Sequence, residues 1–380
     1  MARVDAEVLV IGAGPAGLAV AACLLRRGID TLVVDRGESV GETWRSRYDR
    51  LHLHTPRVQS SLPGLRIPAR FGRWVAKDDV AEYLSVYARR QRIAPRFTTE
   101  VRRLDHDGRL WTATLDDGTL SARQIVIATG YSNSPIRPNW PGQDGFGGEV
   151  VHASEYRNAR AFAGRDVLVV GAGNSGAEIA ADLAEGGAAT VRLAIRTPPN
   201  IIPRQLGPVP TGLLAIGMEY LPAWLVDPVN RLLQRAVLGD LTPFGMPPPT
   251  AGVVAQARAT GVTPTIDVGL VECLRAGRVL PVAALERFDG GEVVLADGTR
   301  IAPDAVIAAT GYTTGLVPVA GHLGVLDERG YPLVTGPRTL PTAPGLRFIG
   351  LSNPLKGQLL QIKLHARASA RAVAKELRAS

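Results

Sequence analysis

Cysteine is almost missing from this chain: Cys23 and Cys273 are the only two in 380 residues. Two cysteines make no disulfide framework, and no Cys-x-x-Cys occurs, which excludes dithiol redox chemistry and cysteine-rich zinc sites. Lysine is equally scarce, limited to Lys77, Lys356, Lys363 and Lys375. The excess of 43 Lys plus Arg over 35 Asp plus Glu, a net charge of +8, therefore rests on arginines, and these are scattered. With no Lys/Arg block, nucleic acid is not an expected partner. Long apolar runs are absent too. The most lipophilic stretch, Leu213 to Leu238, is interrupted by Glu219, Pro222, Asp227, Pro228, Arg231 and Arg235, so no spanning helix is expected. The N-terminal segment runs directly into a strand and a glycine turn, with no separate apolar stretch and cleavage site, and a cytoplasmic protein is expected. No His-Glu-x-x-His, no Ser/His/Asp order and no dense carboxylate cluster occurs, so hydrolase and metal chemistry lack a motif and no metal is expected.

What the chain does have, it has twice. Glu7 to Ile11 reads as a short buried strand, followed by Gly12-Ala-Gly14-Pro15-Ala16-Gly17 and a helix from Leu18 to Arg27. Asp166 to Val170 reads as another, followed by Gly171-Ala-Gly173-Asn174-Ser175-Gly176 and a helix from Ala177 to Glu185. Each helix leads to a further strand, Asp30 to Val34 and Thr190 to Ile195. In such a βαβ unit the first glycine makes the turn, the second admits a pyrophosphate to the backbone, and the third lets helix and strand pack. The helix N-terminus then presents free N–H groups and a positive dipole end to the phosphates.

The residues that end the second strands differ in charge. Asp35 stands 18 residues after Gly17, followed by Arg36. A carboxylate there accepts hydrogen bonds from a ribose, as FAD or NAD requires. Arg196 stands 20 residues after Gly176 with no acid nearby, and a guanidinium there suits the 2′-phosphate of NADPH, with Arg204 in a supporting place. A solvated strand-end arginine is the competing reading. Two dinucleotide sites on one chain imply a flavin and its reductant, with FAD and NADPH as cofactors.

A second repeat closes each unit. Gln124 to Tyr131 and Asp304 to Tyr312 are strands that end in Ala128-Thr129-Gly130-Tyr131 and Ala309-Thr310-Gly311-Tyr312, each preceded by an Asp-Gly hairpin turn. The fold class is thus α/β: two Rossmann-like dinucleotide-binding domains, the second inserted into the first. The first, for FAD, is expected over residues 1–157 and 313–380, and the second, for NADPH, over 158–312. Residues 198–265 are Pro-rich without period-2 alternation and are expected to be irregular, with short helices covering a cleft.

Between the two units, Phe146-Gly-Gly148-Glu-Val-Val-His152-Ala-Ser-Glu-Tyr156 resembles the F-x-G-x-x-x-H-x-x-x-Y/F/W signature of class B flavoprotein monooxygenases at every fixed position. The signature ends in Tyr156-Arg157, not in the Trp of typical Baeyer–Villiger enzymes. Within the class, the chain is similar nearly end to end to the YUCCA-type flavin monooxygenases. Gly41-Glu-Thr43-Trp44, Tyr48 to Pro56, Val170 to Glu178, Ile201 to Arg204 and Thr263 to Gly269 carry that likeness, while Thr55, Arg57 and the stretch Leu213 to Pro249 depart from it. The resemblance implies reduction of FAD by NADPH, oxygen addition at flavin C4a to give a hydroperoxide, and transfer of one oxygen atom to a small organic substrate. The departures lie where the substrate pocket is expected. Thr43, Trp44, His54, Val101, Ala128, Thr129 and Gly130 are further candidate FAD contacts besides the first fingerprint, with Trp44 either against the flavin or adenosine or a core residue whose indole N–H is satisfied.

Asn353 to Leu360, including Gln358 and Leu359, can turn backbone N–H groups toward the flavin pyrimidine. Thr310 and Gly311 take the equivalent place at the NADPH unit. His54 and His152 are the candidate catalytic side chains. For His54 the alternatives are a hydrogen bond near the flavin edge or a satisfied packing residue; for His152 they are direct chemistry or anchorage of the linker. Three readings of activity compete with monooxygenation by this route: an NADPH oxidase or flavin reductase releasing hydrogen peroxide, a Baeyer–Villiger-type enzyme, and a non-enzymatic redox module. The expected partners are a small organic substrate and molecular oxygen, and a homodimer is compatible with all of them.

Overall fold

The computed structural model describes residues 4–379. The chain forms two compact units: one from the N-terminus to Ser46, Thr55–Ser134 and Tyr312 onward, the other Arg47–His54 and Pro135–Gly311.

In the first unit, β1 (Ala6–Ile11) is nearly all buried, as its continuous apolar run requires of a strand covered on both faces. It leads into α1 (Pro15–Leu25), which starts with Pro15 in the first turn, where a missing N–H costs nothing. Residues Ala16 to Leu24 of this helix are all buried, so it is an internal helix, packed between the sheet and the C-terminal helix Gln358–Ala379. The strands β2 (Thr31–Val34), β3 (Arg103–His106), β4 (Trp111–Thr114) and β5 (Thr119–Ile127) complete a sheet of order β2-β1-β5-β4-β3. The long strand β5 pairs along one side with β1, in parallel. Its Thr119–Ala122 half pairs antiparallel with β4, while its Ile125–Ile127 half pairs in parallel with the closing strand Leu346–Phe348.

That closing strand carries Arg347, which is fully buried. Its guanidinium donates to Gln124 Oε1 (2.6 Å), to the Pro337 carbonyl (3.2 Å) and to Glu376 of the C-terminal helix. A buried cation is tolerable only when paired in this way, and removing it leaves its acceptors without their donor. Arg347→Ala is expected to lower the stability of the first unit by roughly 3 kcal/mol, read as an earlier midpoint in urea.

In the second unit, β6 (Glu149–His152), β7 (Asp166–Val170), α2 (Asn174–Glu185) and β8 (Thr190–Ile195) are followed by α3 (Thr211–Met218), α4 (Ala223–Leu238) and α5 (Val253–Thr260), then β9 (Leu280–Ala283) and β10 (Ala305–Ala308). The sheet is all-parallel, of order β9-β8-β7-β10-β6.

Two boundaries differ from the sequence reading. The second unit begins at Pro135 and not at 158, because Glu149–His152 pairs in parallel with β10 and so belongs to its sheet. It also takes Arg47–His54, whose Tyr48 is buried in this unit's core with Tyr156, Ala177 and Ala181. Residues 198–265 are more regular than expected. Three helices fill nearly half of the stretch, and Ile201–Pro203 pairs in parallel with Thr265–Asp267. The proline content misled because Pro210 and Pro222 act as helix N-caps, and only Pro228 lies inside a helix.

Candidate functional site

Both glycine turns have the same stereochemistry. Gly12 has φ 109°, and a Cβ there would lie 2.6 Å from the Ala128 carbonyl oxygen. A Cβ on Gly17 would lie 1.8 Å from the Gly12 oxygen, whereas one on Gly14 would meet nothing within 4 Å. The turn is thus closed on its protein side and open at the one glycine that faces the helix N-terminus. The second turn repeats this: Gly171 (φ 109°) sits against the Ala309 oxygen at 2.6 Å, Gly176 against the Gly171 oxygen at 1.8 Å, and Gly173 is open.

At the first turn, Asp35 is half-buried and locks the loop. One carboxylate oxygen accepts from the Ala13 N–H at 2.5 Å, the other from the Gly37 N–H at 2.7 Å. Arg36 is exposed and only loosely paired with Glu100, at 3.7 Å. Ala128 is buried, and the Thr129 hydroxyl beyond it is buried with no hydrogen-bond partner. Pro15 and Ala16 begin the helix, and a Cβ on Gly350 would touch Ala16 at 2.7 Å, so the loop after the closing strand passes directly over the helix start. Gln358 donates to the Gly350 carbonyl at 3.0 Å, and Gln59 donates to the Lys356 carbonyl at 2.5 Å. Val101 and Leu359 are core residues, leaving only their backbones for a ligand. Thr43 is exposed and Trp44 half-buried, on a one-turn helix that follows Gly41.

At the second turn, two of the expected cofactor residues are bonded within the protein. The side chain of Asn174 is committed to protein: it donates to the Pro264 carbonyl (3.2 Å) and accepts from the Ile266 N–H (2.8 Å). Arg204 donates to the Leu53 carbonyl at 2.7 Å, and its guanidinium is pushed down to about 10 by burial, opposed by the Glu178 charge. That bond anchors the half-buried side chain within the second unit. Arg196 lies just past β8, exposed and without a hydrogen bond or ion pair among the described residues.

Helix α2 also carries an acidic stripe that the sequence reading missed. Glu178, Asp182 and Glu185 recur at helical spacing, and each holds another segment. His54 Nε2 bonds Glu178 Oε1 at 2.5 Å, Tyr156 donates to Asp182 Oδ2 at 2.5 Å, and Arg50 pairs with Glu185. Glu178 is itself buried. Burial, and after it the Glu178 charge, raises the Tyr48 hydroxyl well above the ordinary range, opposed by a hydrogen bond with the Ser175 hydroxyl. Glu178 thus takes Nε2 of the half-buried His54 ring and fixes its orientation. The signal was present as acids at i, i+4 and i+7, but such a stripe on a helix usually faces water.

His152 is 1% exposed. Its Nδ1 accepts from the Ser154 N–H at 3.1 Å, so Nε2 carries the proton and donates to the Gly311 carbonyl at 3.2 Å. Neither nitrogen is left for a reacting group, and the ring serves to hold the second Ala-Thr-Gly motif. Gly311 has φ 89°, and the Thr310 hydroxyl donates to the Ile136 carbonyl at 2.6 Å. Thr129 has no such partner, so the two copies of the motif have diverged in use.

The pyridine nucleotide-disulphide oxidoreductase family matches residues 9–203. A probable indole-3-pyruvate monooxygenase, YUCCA9 of Arabidopsis thaliana, is 35% identical over 353 residues, 90% of this chain and 84% of that protein. The indole-3-pyruvate monooxygenase YUCCA1 of Oryza sativa subsp. japonica is also 35% identical, over 90% of this chain and 86% of its own. The chain belongs to the YUCCA monooxygenase family. Among solved structures, the flavin-containing monooxygenase from Stenotrophomonas maltophilia is similar with a TM-score of 0.75 at 26% identity, covering 99% of this chain and 100% of that one. A cyclohexanone monooxygenase bound to epsilon-caprolactone shares the fold, with a TM-score of 0.76 at 20% identity over 98% and 88% of the two chains. This YUCCA-family chain is accordingly an oxidoreductase with the two-domain α/β architecture of flavin monooxygenases. The disulphide in the broader family's name has no counterpart here, since both cysteines are buried free thiols.

Burial holds His152 below the ordinary histidine value of 6.5. A histidine kept neutral in the fold takes up its proton on unfolding, so its contribution to stability is complete well above pH 6.5 and shrinks as the pH falls below that value. In urea denaturation of this YUCCA-family protein between roughly pH 5 and 7, His152→Gln is expected to flatten the acid-side loss of stability relative to wild type. An unchanged slope would show that the ring does not titrate in this window.

Proposed function

We propose that the first glycine turn holds FAD, that the second holds NADPH, and that the substrate is a small organic molecule, with 2-oxo acids of the indole-3-pyruvate type as the first class to test. The chain is a flavin monooxygenase, and bound FAD supplies the acceptance of hydride from NADPH and the activation of oxygen that put one oxygen atom into the substrate. The observation that carries the assignment of the two sites is the contrast at the strand ends. Asp35 is a carboxylate fixed beside the open face of Gly14, and Arg196 is an unpaired cation after the second turn.

Each protein group then has a defined task. The α1 N-terminus and the open Gly14 receive the pyrophosphate, and Asp35 accepts from the adenosine ribose. The orphan Thr129 hydroxyl gains the partner it lacks. Arg196 meets the 2′-phosphate, and the open Gly173 admits the second pyrophosphate. His152 holds Gly311 in place. The substrate class rests on the relatives at 35% identity. The free buried thiols suit a reducing, NADPH-supplied cytoplasm.

The purified protein is expected to be yellow, with one FAD per chain. Incubated with NADPH, indole-3-pyruvate and ¹⁸O-labelled oxygen, it is expected to place label in the organic product. NADPH consumed entirely as hydrogen peroxide across a panel of 2-oxo acids, amines and sulfides would make it an oxidase. Arg196→Ala is expected to weaken NADPH by roughly 1.5–3 kcal/mol while leaving NADH nearly unchanged, as compared in KM for the two nucleotides. Equal losses for both would assign Arg196 to structure.

A further inference from the structure

Helix α4 is attached largely through polar side chains. Asp227 accepts from the Val254 and Ala255 N–H groups at 2.8 and 3.1 Å, capping α5, and Gln234 donates to the Ile201 carbonyl at 3.1 Å. Val226 and Leu238 are buried, but the helix's other large apolar side chains face water. Trp224 is 77% exposed and Leu232 69%, and Leu225, Val229 and Leu233 lie on the same side. Tyr220, before the helix, is 72% exposed, and the preceding helix α3 has no charged residue and no buried one. Large apolar side chains left exposed in a cluster along one helix face mark an interaction surface.

Charge selects the occupant. Arg231 and Arg235 flank Trp224 at helical spacing, and both are exposed. Among the described residues Arg231 forms no ion pair; Asp240, beyond the helix end, is an anion near Arg235 and accepts from the Thr242 N–H, so the charge of Arg231 is the one left unanswered. The remaining carboxylate on the helix, Asp227, points inward. An antiparallel pairing of two copies through this 16-residue helix would centre on Arg231, placing like charges together with no acid to answer them. An anionic bilayer surface answers both features, since it takes aromatic and aliphatic side chains into the headgroup boundary and arginines against its phosphates. No described helix is long and apolar enough to cross a membrane, so the helix would lie on the surface.

We infer that α3 and α4 form a peripheral docking surface for anionic lipid membranes, with Trp224 and Leu232 as apolar anchors and Arg231 and Arg235 as headgroup contacts. The inference is independent of the proposed reaction, because it concerns side chains given no task in it.

The test is co-sedimentation of the FAD-loaded full chain with extruded vesicles of phosphatidylcholine alone or mixed with phosphatidylglycerol, in low and high salt, alongside light scattering of the free protein. Binding to the anionic vesicles at least tenfold above the neutral ones, weakened by salt, is the expected result. Trp224→Ser with Leu232→Ser, and separately Arg231→Gln with Arg235→Gln, are each expected to lower vesicle partitioning about tenfold or more. FAD content serves as the check that both variants fold, and these side chains are exposed enough for that to hold. Wild-type protein that ignores anionic vesicles overturns the inference. So does vesicle binding that neither double variant changes. A concentration-dependent dimer, lost in the Trp224→Ser/Leu232→Ser variant and without vesicle binding, would assign the surface to a second copy instead.

Discussion

Everything in this protein is arranged around a steric constraint that appears twice: the third glycine of each turn lies so close to the first that a methyl group would overlap its carbonyl oxygen, at 1.8 Å. That approach lets a helix begin directly against the end of a parallel strand. Its unsatisfied N–H groups then point out of the sheet, where an anionic pyrophosphate completes them. The cost falls on sequence freedom, since four of these positions permit no side chain. The remaining two, Gly14 and Gly173, are open toward the ligand side. Asp35 adds rigidity by bonding the N–H of Ala13, which lies between the two glycines of the first turn.

The polar groups around the second turn are mostly occupied by one another. Glu178 is buried, yet it is stabilised by the hydrogen bond to His54 and by the nearby Tyr48 and Arg204. Buried ionisable groups are tolerated when every member has a partner, and they then fix one arrangement of the chain. Here they clamp Arg47–His54 onto the second unit, although the residues on both sides of it belong to the first. His152 acts in the same way on Gly311. His152, with both ring nitrogens bonded within the protein, is thus part of the scaffold, and His54 is held to it by Glu178. This agrees with a reaction whose difficult steps belong to a cofactor, leaving the protein to position and to exclude water.

The outer helices follow the opposite logic. In α4, Asp227 and Gln234 are used to attach the helix, while Trp224, Leu225, Val229 and Leu232 are left outside. Apolar surface left in water raises the free energy of the isolated chain, and a second surface laid over it would lower it again.

The sequence by itself determined the two βαβ units, their nesting, the glycine geometry and the opposite charges of Asp35 and Arg196. These are local patterns, set by backbone sterics and by the period of apolar residues, and they survive any tertiary context. The YUCCA-type resemblance was legible for the same reason, being carried by contiguous motifs. What only the tertiary structure decided was the use of side chains whose partners are distant in sequence. The partner of His54 lies 124 residues away and that of His152 lies 159 away. Whether Glu178, Asp182 and Glu185 face water or protein depends on what packs on α2, and nothing in their own spacing distinguishes the two. The same holds for α4, where amphipathic spacing is visible in the chain but not which side turns inward. That was settled by Asp227 meeting the start of another helix, a hydrogen-bond requirement that outweighed the burial of Trp224.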